Sequence, residues 1–203
     1  EVLTIDADPD TNPDICADVC DITTEKIGRN WDLILASPPC QAFSVMSCYH
    51  HWTSTEPRVA KTEKAEKALQ IVHHIWDLIE EIDPTFWFIE NPQAMMRKLW
   101  KLPNQVTYFS SWSGSDNKER RPKKTTDIWC KAPASMPWPE PRRWEIAPRG
   151  ENRGLQGQPK GLRRAKIPWG LSFTVCIHAE AEILGGKRPV KPMKSPPDER
   201  WTQ

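Results

Sequence analysis

The chain has 203 residues, of which 20 are Pro and 9 are Gly, with 38% hydrophobic residues and a net charge of +1. Only Gly28 precedes Gly114, so a function that needs a Gly-rich phosphate or dinucleotide loop in the first half is excluded. No apolar run approaches the roughly 18 residues that a transmembrane helix needs, so membrane insertion is not expected.

The near-neutral net charge conceals an asymmetry between the two halves of the chain. Residues 1–100 carry 8 Lys and Arg against 17 Asp and Glu, whereas residues 101–203 carry 20 against 10. A basic half that is also rich in Pro and Trp indicates a surface for a polyanion, although solvated charge is the commoner explanation. The six cysteines form no Cys-x-x-Cys pair, so a zinc site is not expected. We expect reduced thiols in an intracellular protein.

In chain order, the predicted elements begin with a β-prone run over residues 2–5. The apolar run 32–36 predicts a strand buried on both faces, and it ends at Ser37-Pro38-Pro39. Apolar residues recur at helical spacing from about residue 62 to residue 82, and Pro84 closes this helix. Residues 85–89 predict another buried strand. This order indicates an α/β domain with a parallel sheet, and ligands bind at the carboxyl ends of such strands.

After residue 102 the character of the chain changes. Residues 106–109 and 126–129 predict two more strands, with a basic hairpin between them, and residues 45–58 predict a loop. We therefore expect a domain over residues 1–132, an irregular basic Pro- and Trp-rich region over 133–168, a helix over 169–186 that returns to the domain, and an extended tail over 187–203. The helix is predicted from residue 171 to residue 184, ahead of Gly185-Gly186.

Two motifs at the predicted strand ends hold residues suited to chemistry. Consecutive prolines, ending at Pro39, stiffen the loop that presents Cys40, and a nucleophilic thiol needs such positioning. Taken alone, a buried structural cysteine is the commoner interpretation. Glu90 ends the strand 85–89 and precedes Asn91-Pro92. Desolvation beside an apolar strand favours a protonated carboxyl group, which suits proton donation near pH 7, but a helix-capping acid is equally plausible in isolation.

Together, Pro-Pro-Cys-Gln-Ala-Phe-Ser after one strand and Phe-Ile-Glu-Asn-Pro after another resemble the DNA cytosine-5 methyltransferase family, in its compact viral- and organelle-type branch. The resemblance runs from about residue 2 to residue 179. It implies a Rossmann-like fold of S-adenosylmethionine-dependent methyltransferases, with a parallel-rich sheet and a small basic recognition region. It also implies S-adenosylmethionine as cofactor and double-stranded DNA as partner. The family's first, Gly-containing motif would precede Val2, so we expect the fold to be N-terminally incomplete.

The resemblance also implies roles for individual residues. Cys40 would add as a thiolate to C6 of a cytosine flipped from the duplex, Glu90 would hydrogen-bond or protonate N3, and Asn91 would order the loop. The cofactor would contact Asp6 at the ribose, Asp18 at the adenine amino group, and Pro38. The family has a pair of basic residues in a later motif, and this sequence matches that motif poorly. Its best counterparts are Arg121 and Lys124. The expected nucleic-acid contacts are Gln41, Ser44, Arg142, Arg143, Arg149, Arg153, Arg163 and Arg164.

Two hypotheses stay open at this point. The intact Cys40, Gln41 and Glu90 favour an active DNA (cytosine-5)-methyltransferase. The degraded basic motif and the Pro-rich basic tail favour an inactive methyltransferase-fold domain, which would serve as a structural or nucleic-acid-binding subunit among other protein subunits. The adjacent histidines of the chain suggest no metal site, because neighbouring positions on a helix cannot share a face.

Overall fold

The computed structural model describes residues 1–112, 124–139 and 167–185. The chain divides into two compact units. One comprises Glu1–Val106 and Thr126–Lys131, and the other comprises Thr107–Thr125 and Ala132–Gln203. The domain boundaries expected at residues 132, 168 and 186 stay predictions.

A small parallel pair of strands opens the first unit. Strand β1, Ile5–Asp6, pairs with β2, Ile15–Cys16, so that Ile5 lies opposite Ile15 and Asp6 opposite Cys16. The strand predicted over residues 2–5 therefore starts later than its composition suggests, and Val2 is 82% exposed. Hydrogen bonds from the Thr4 backbone and hydroxyl to Asp14, both 2.7 Å long, close the connection between the two strands instead.

The larger sheet has four strands in the order β3-β4-β6-β5. They are β3 Leu33–Ala36, β4 Phe86–Pro92, β5 Gln105–Tyr108 and β6 Thr125–Lys131. Strands β3 and β4 are parallel, with Ala36 opposite Ile89, while β4 and β6 are antiparallel. The structure therefore confirms the predicted α/β class and the predicted strands at 32–36, 85–89, 106–109 and 126–129, with shifted ends.

The prediction that the apolar run 32–36 is buried on both faces is wrong for Leu35. This side chain is 47% exposed, and Leu33 and Ile34 are only half-buried. The reason is position, because β3 is the end strand of its sheet and β4 is its one neighbour in the described part of the chain. An apolar composition alone does not distinguish a central strand from an end strand.

The long helix of the first unit matches its prediction. It spans Glu63–Ile82 as α3, after the short helices α1, Thr24–Ile27, and α2, Cys48–His51. Helix α2 lies within the predicted loop 45–58, so that prediction is wrong for one helical turn. The Thr62 hydroxyl accepts a hydrogen bond of 3.3 Å from Ala65 N–H, which satisfies one free donor at the start of α3.

The apolar face of α3 builds the core of the unit against the sheet. Val72 and Ile79 belong to one buried cluster with Ile89 of β4, Phe43 of the Cys40 loop, and Met96. Full burial of each such side chain stabilises the fold by about 1.5–3 kcal/mol. Met96 starts the short helix α4, Met96–Leu99, so the same core supports both strand ends that contain candidate residues.

Four tryptophans line one end of this core. Trp76 of α3 lies 5.2 Å from Trp87 and 5.6 Å from Trp100 between ring centroids, and Trp100 lies 5.7 Å from Trp129. The Lys101 ammonium sits 3.4 Å from the centroid of Trp76, within cation–π range. Trp76 and Trp87 are therefore packing residues, as their spacing predicts, with part of each ring exposed.

In the second unit, helix α5 spans Trp169–Ile183, which confirms the helix predicted over residues 171–184 within two residues. It ends ahead of Gly185, whose φ of 65° is in the left-handed region. A Cβ on Gly170 would lie 2.2 Å from the Trp112 carbonyl oxygen, so only glycine fits there. None of the helices in residues 1–112, 124–139 and 167–185 has the length and apolar character to cross a membrane.

Candidate active site

The carboxyl ends of β3 and β4 meet at one edge of the sheet, because the two strands are parallel and Ala36 lies opposite Ile89. The loop with Cys40 follows β3, and Glu90 and Asn91 continue β4. Cys40 is half-buried, Glu90 is 7% exposed and Asn91 is fully buried. We call these three residues the Cys40 corner.

A buried hydrogen bond joins the two sides of the Cys40 corner. Asn91 Nδ2 donates to the Pro38 carbonyl oxygen over 3.0 Å, across 53 residues of sequence. Asn91 Oδ1 is also buried and has no hydrogen-bond partner among the described residues. Since side chains alternate along a strand, Asn91 shares the core-facing side of β4 with Ile89, and Glu90 lies on the opposite face. The amide thus holds the Pro38 segment against β4, on the face of the strand opposite to Glu90.

The segment after Cys40 is anchored as a tight turn. The Cys40 carbonyl accepts hydrogen bonds from Phe43 N–H, at 3.0 Å, and from Ser44 N–H, at 2.9 Å. Phe43 is fully buried and stacks on Trp52, with ring centroids 5.9 Å apart. Trp52 Nε1 donates to the Ala42 carbonyl over 2.8 Å. The thiol therefore projects from a backbone that a buried aromatic pair holds in place.

The segment after β4 makes a second contact with the Cys40 loop. Met95 N–H donates to the Phe43 carbonyl over 3.0 Å. Two residues further on, Arg97 forms a two-pronged ion pair with Asp127 of β6, with Arg97 Nε 2.7 Å from Asp127 Oδ2. The hydrogen bonds that Arg97 donates to Asp127 raise the pKa of Arg97. Sequence reasoning attached no role to this pair, because no local pattern shows that Arg97 and Asp127 are neighbours.

A second group of candidate residues lies at the ends of β1 and β2, and we call Asp6 and Asp18 the Asp6 corner. Asp6 ends β1, is exposed, and accepts a hydrogen bond of 2.9 Å from Asp8 N–H. Asp18 accepts from Cys20 N–H at 2.9 Å and pairs with Lys67 of α3, also at 2.9 Å. The hydrogen bond from Lys67 and that from Cys20 hold the pKa of Asp18 below its usual range.

The other predicted contact residues in the described regions occupy separate places. Gln41 is exposed beside Cys40, and its carbonyl accepts a hydrogen bond from Ser47. The Ser44 hydroxyl lies 2.8 Å from the Ser47 hydroxyl, so these residues order the turn that leaves the Cys40 corner. Lys124 belongs to the second unit, where its ammonium lies 4.2 Å from the ring centroid of Phe109.

The remaining predicted residues fall outside the described ranges, and their roles stay predictions. They are Arg121, Arg142, Arg143, Arg149, Arg153, Arg163 and Arg164. Across the ranges that are described, no three His, Cys, Asp or Glu side chains come close enough together to hold a metal ion.

Comparison with known proteins identifies related sequences. A family model described as C-5 cytosine-specific DNA methylase matches residues 10–106, the range that includes Cys40, Glu90 and Asn91. A curated protein of Frog virus 3 (isolate Goorha), named "Probable DNA (cytosine-5)-methyltransferase", is 28% identical over 178 residues, covering 79% of this chain and 81% of its own length. No solved structure matches the chain significantly.

Proposed function

We propose that this chain, which is similar to C-5 cytosine-specific DNA methylases over residues 10–106, is a DNA (cytosine-5)-methyltransferase that works through Cys40 and Glu90. The observation that supports this most directly is the Cys40 corner. The parallel pairing of β3 and β4 brings a thiol and a buried carboxyl group to one sheet edge, and the hydrogen bond from Asn91 to Pro38 holds the two sides together.

In the proposed reaction, Cys40 acts as the nucleophile. Its thiolate adds to C6 of a cytosine that has left the base stack, so that a bond forms between Sγ and C6. The electron pair of the C5–C6 double bond moves onto C5 and the ring, and C5 becomes nucleophilic. After C5 is methylated, a base removes the C5 proton, the Sγ–C6 bond breaks, and the thiolate of Cys40 is restored.

Glu90 holds a proton at N3 of the same ring. This carboxyl group is 7% exposed, and in its protonated form it would donate a hydrogen bond to that ring nitrogen. Donation at N3 neutralises charge that would otherwise build up in the ring when the thiolate adds. Asn91 contributes by keeping the Cys40 loop in place against β4.

The Asp6 corner fits the cofactor of this family by the chemistry of its acceptors. Ribose hydroxyls and an adenine amino group are donors, and the carboxylates of Asp6 and Asp18 lie at the adjacent ends of two paired strands. Asp6 would hold the ribose, and Asp18, already oriented by Cys20 and Lys67, would accept from the adenine amino group. S-adenosylmethionine, when bound, supplies an electrophilic methyl group.

Covalent trapping tests the proposal. The protein is incubated with labelled S-adenosylmethionine and a DNA duplex that contains 5-fluorocytosine, whose fluorine cannot leave C5 as a proton does. The expected product is a labelled protein–DNA adduct that survives denaturing electrophoresis. Cys40→Ala should give no adduct. Cys176→Ala should give the normal amount, because this exposed cysteine of α5 belongs to neither corner. Glu90→Gln should slow adduct formation by about 10²–10⁴-fold.

Two results would overturn the proposal. An adduct from Cys40→Ala in the normal amount would show that another group attacks the base. No adduct from the unaltered protein, together with retained duplex binding, would favour the inactive nucleic-acid-binding subunit instead.

A further inference from the structure

The ion pair between Arg97 and Asp127 is more deeply placed than a surface salt bridge. The Asp127 side chain is fully buried, and that of Arg97 is 27% exposed. A buried carboxylate needs a partner, because the free energy of removing its charge from water is otherwise uncompensated. The guanidinium supplies two donors to the two carboxylate oxygens, which fixes its orientation as well as its charge.

Asp127 lies directly beside the Cys40 corner. In the antiparallel pairing of β4 and β6, Asp127 is the partner of Asn91, and Ile128 is the partner of Glu90. Side chains of directly paired residues project from the same face of a sheet. The carboxylate that binds Arg97 therefore shares its face of the sheet with the Asn91 amide that binds Pro38.

Arg97 in turn belongs to the short segment that follows β4. This segment leaves the sheet at Pro92, contacts Phe43 through Met95 N–H, and returns to the sheet through the Arg97 side chain. The ion pair closes a ring of contacts that starts and ends at the Asn91–Asp127 pair. The hydrogen bonds that Asn91 and Met95 donate to the Cys40 loop originate inside this ring.

From this arrangement we propose that Arg97 and Asp127 are positioning residues, which set the separation of the Cys40 thiol and the Glu90 carboxyl group. The proposal rests on the proposed function for its consequence in catalysis. Neither residue is assigned a contact with the base or the cofactor. Their ion pair acts through Asn91 and Met95, which hold the Cys40 loop against the end of β4.

Steady-state kinetics on the full chain test the proposal with Arg97→Lys and Asp127→Asn. Lysine keeps the charge but offers no two-pronged contact, and asparagine keeps the shape but not the charge. Because a misplacement of about 1 Å can cost about 10²-fold in rate, we expect kcat to fall by about 10- to 100-fold, with KM for DNA close to that of the unaltered protein. Arg29→Lys, at the exposed pair of Arg29 and Glu81, is the matched control and should leave both constants unchanged.

A double variant separates positioning from folding. Arg97→Met combined with Asp127→Leu removes both charges, leaves none buried, and should therefore fold with near-normal stability. If the pair positions the corner, this folded variant still has a lowered kcat. Normal kcat in the double variant would overturn the proposal, and so would a defect that appears only in KM for DNA.

Alkylation of Cys40 gives a readout that needs neither DNA nor cofactor. The rate of reaction with iodoacetamide is followed across pH by mass spectrometry of the Cys40 peptide. The proposal expects a changed rate and pH profile in each Arg97 and Asp127 variant, and an unchanged profile in Arg29→Lys. An unchanged profile in the folded variants would overturn it. Absence of methyl transfer by the unaltered protein would instead refute the proposed function, and the alkylation profile would still decide the positioning role.

Discussion

At the Cys40 corner, Asn91 is fully buried and its hydrogen bond spans 53 residues of sequence, whereas at the Asp6 corner Asp6 is exposed and its hydrogen bond reaches a backbone only two residues away. The two corners belong to one unit and end comparable parallel pairs of strands. The difference follows from what each is proposed to do. Groups that make a bond must be held in place before the substrate arrives, while an exposed carboxylate such as that of Asp6 can be oriented by the ligand whose hydrogen bonds it accepts.

The largest expected effect comes from removing one charge of the buried pair. Arg97→Met should lower the free energy of unfolding by about 3–5 kcal/mol, because Asp127 is left buried and unpaired. Arg29→Met, at a pair whose two side chains are 56% and 43% exposed, should cost at most about 1 kcal/mol. Urea unfolding of both variants makes the measurement. Equal losses would mean that the Cys40 corner is no more tightly held than the surface.

Asn91→Ala and Asp6→Ala together compare how much each corner contributes to stability. The substitution leaves the Pro38 carbonyl unpaired in a buried place and should cost about 1–3 kcal/mol. Asp6→Ala changes an exposed side chain and should stay within about 0.5 kcal/mol, while it raises KM for S-adenosylmethionine. Unfolding curves and cofactor titrations distinguish the two. A larger loss of stability from Asp6→Ala would reverse the comparison.

Thr62→Ala changes the helix that both corners share. The loss of the cap at Ala65 N–H should cost about 1 kcal/mol of stability. Helix α3 provides Lys67 to the Asp6 corner and packs beneath the Cys40 loop, so kcat and cofactor KM should respond together or not at all. Thermal melts paired with kinetics check this. A change confined to one constant would show that α3 serves one corner only.

The smallest effect concerns pH at the Asp6 corner. The pKa of Asp18 is lowered in the fold, first by Lys67 and then by Cys20, so its contribution to stability is present above the unfolded pKa of about 3.9 and is lost as the pH falls through the folded value. The contribution is small because both side chains are partly exposed to water. Asp18→Asn should flatten this part of the stability profile between neutral and strongly acidic pH. If the stability of Asp18→Asn falls with acid in the same way as that of the unaltered protein, the ion pair with Lys67 does not stabilise the fold.

The elements that could be predicted from the sequence are those with a local signal. Helical spacing and Pro84 define α3, and the apolar run before Glu90 defines β4. The placement of Cys40 and Glu90 at the ends of neighbouring strands was also predictable, because parallel strands bring their carboxyl ends together. Their roles at those positions remain proposals.

Other features depend on contacts that no local pattern encodes. Arg97 meets Asp127 only because β6 returns antiparallel to β4 in a register that places Asp127 opposite Asn91. The exposure of Leu35 depends on strand order, which composition does not contain. Helix α2 is a single turn in a polar segment, so it is too short to show a helical spacing of apolar residues.

The position of β3 at the end of its sheet also determines where a further strand can add. One side of this strand has no ladder partner in the described part of the chain, and its four residues, Leu33–Ala36, include neither a charge nor a proline. Such an edge is a template on which any extended apolar peptide can add as a further strand. This side of β3 is therefore where a further strand, from a longer form of the protein or from a second copy, would extend the sheet.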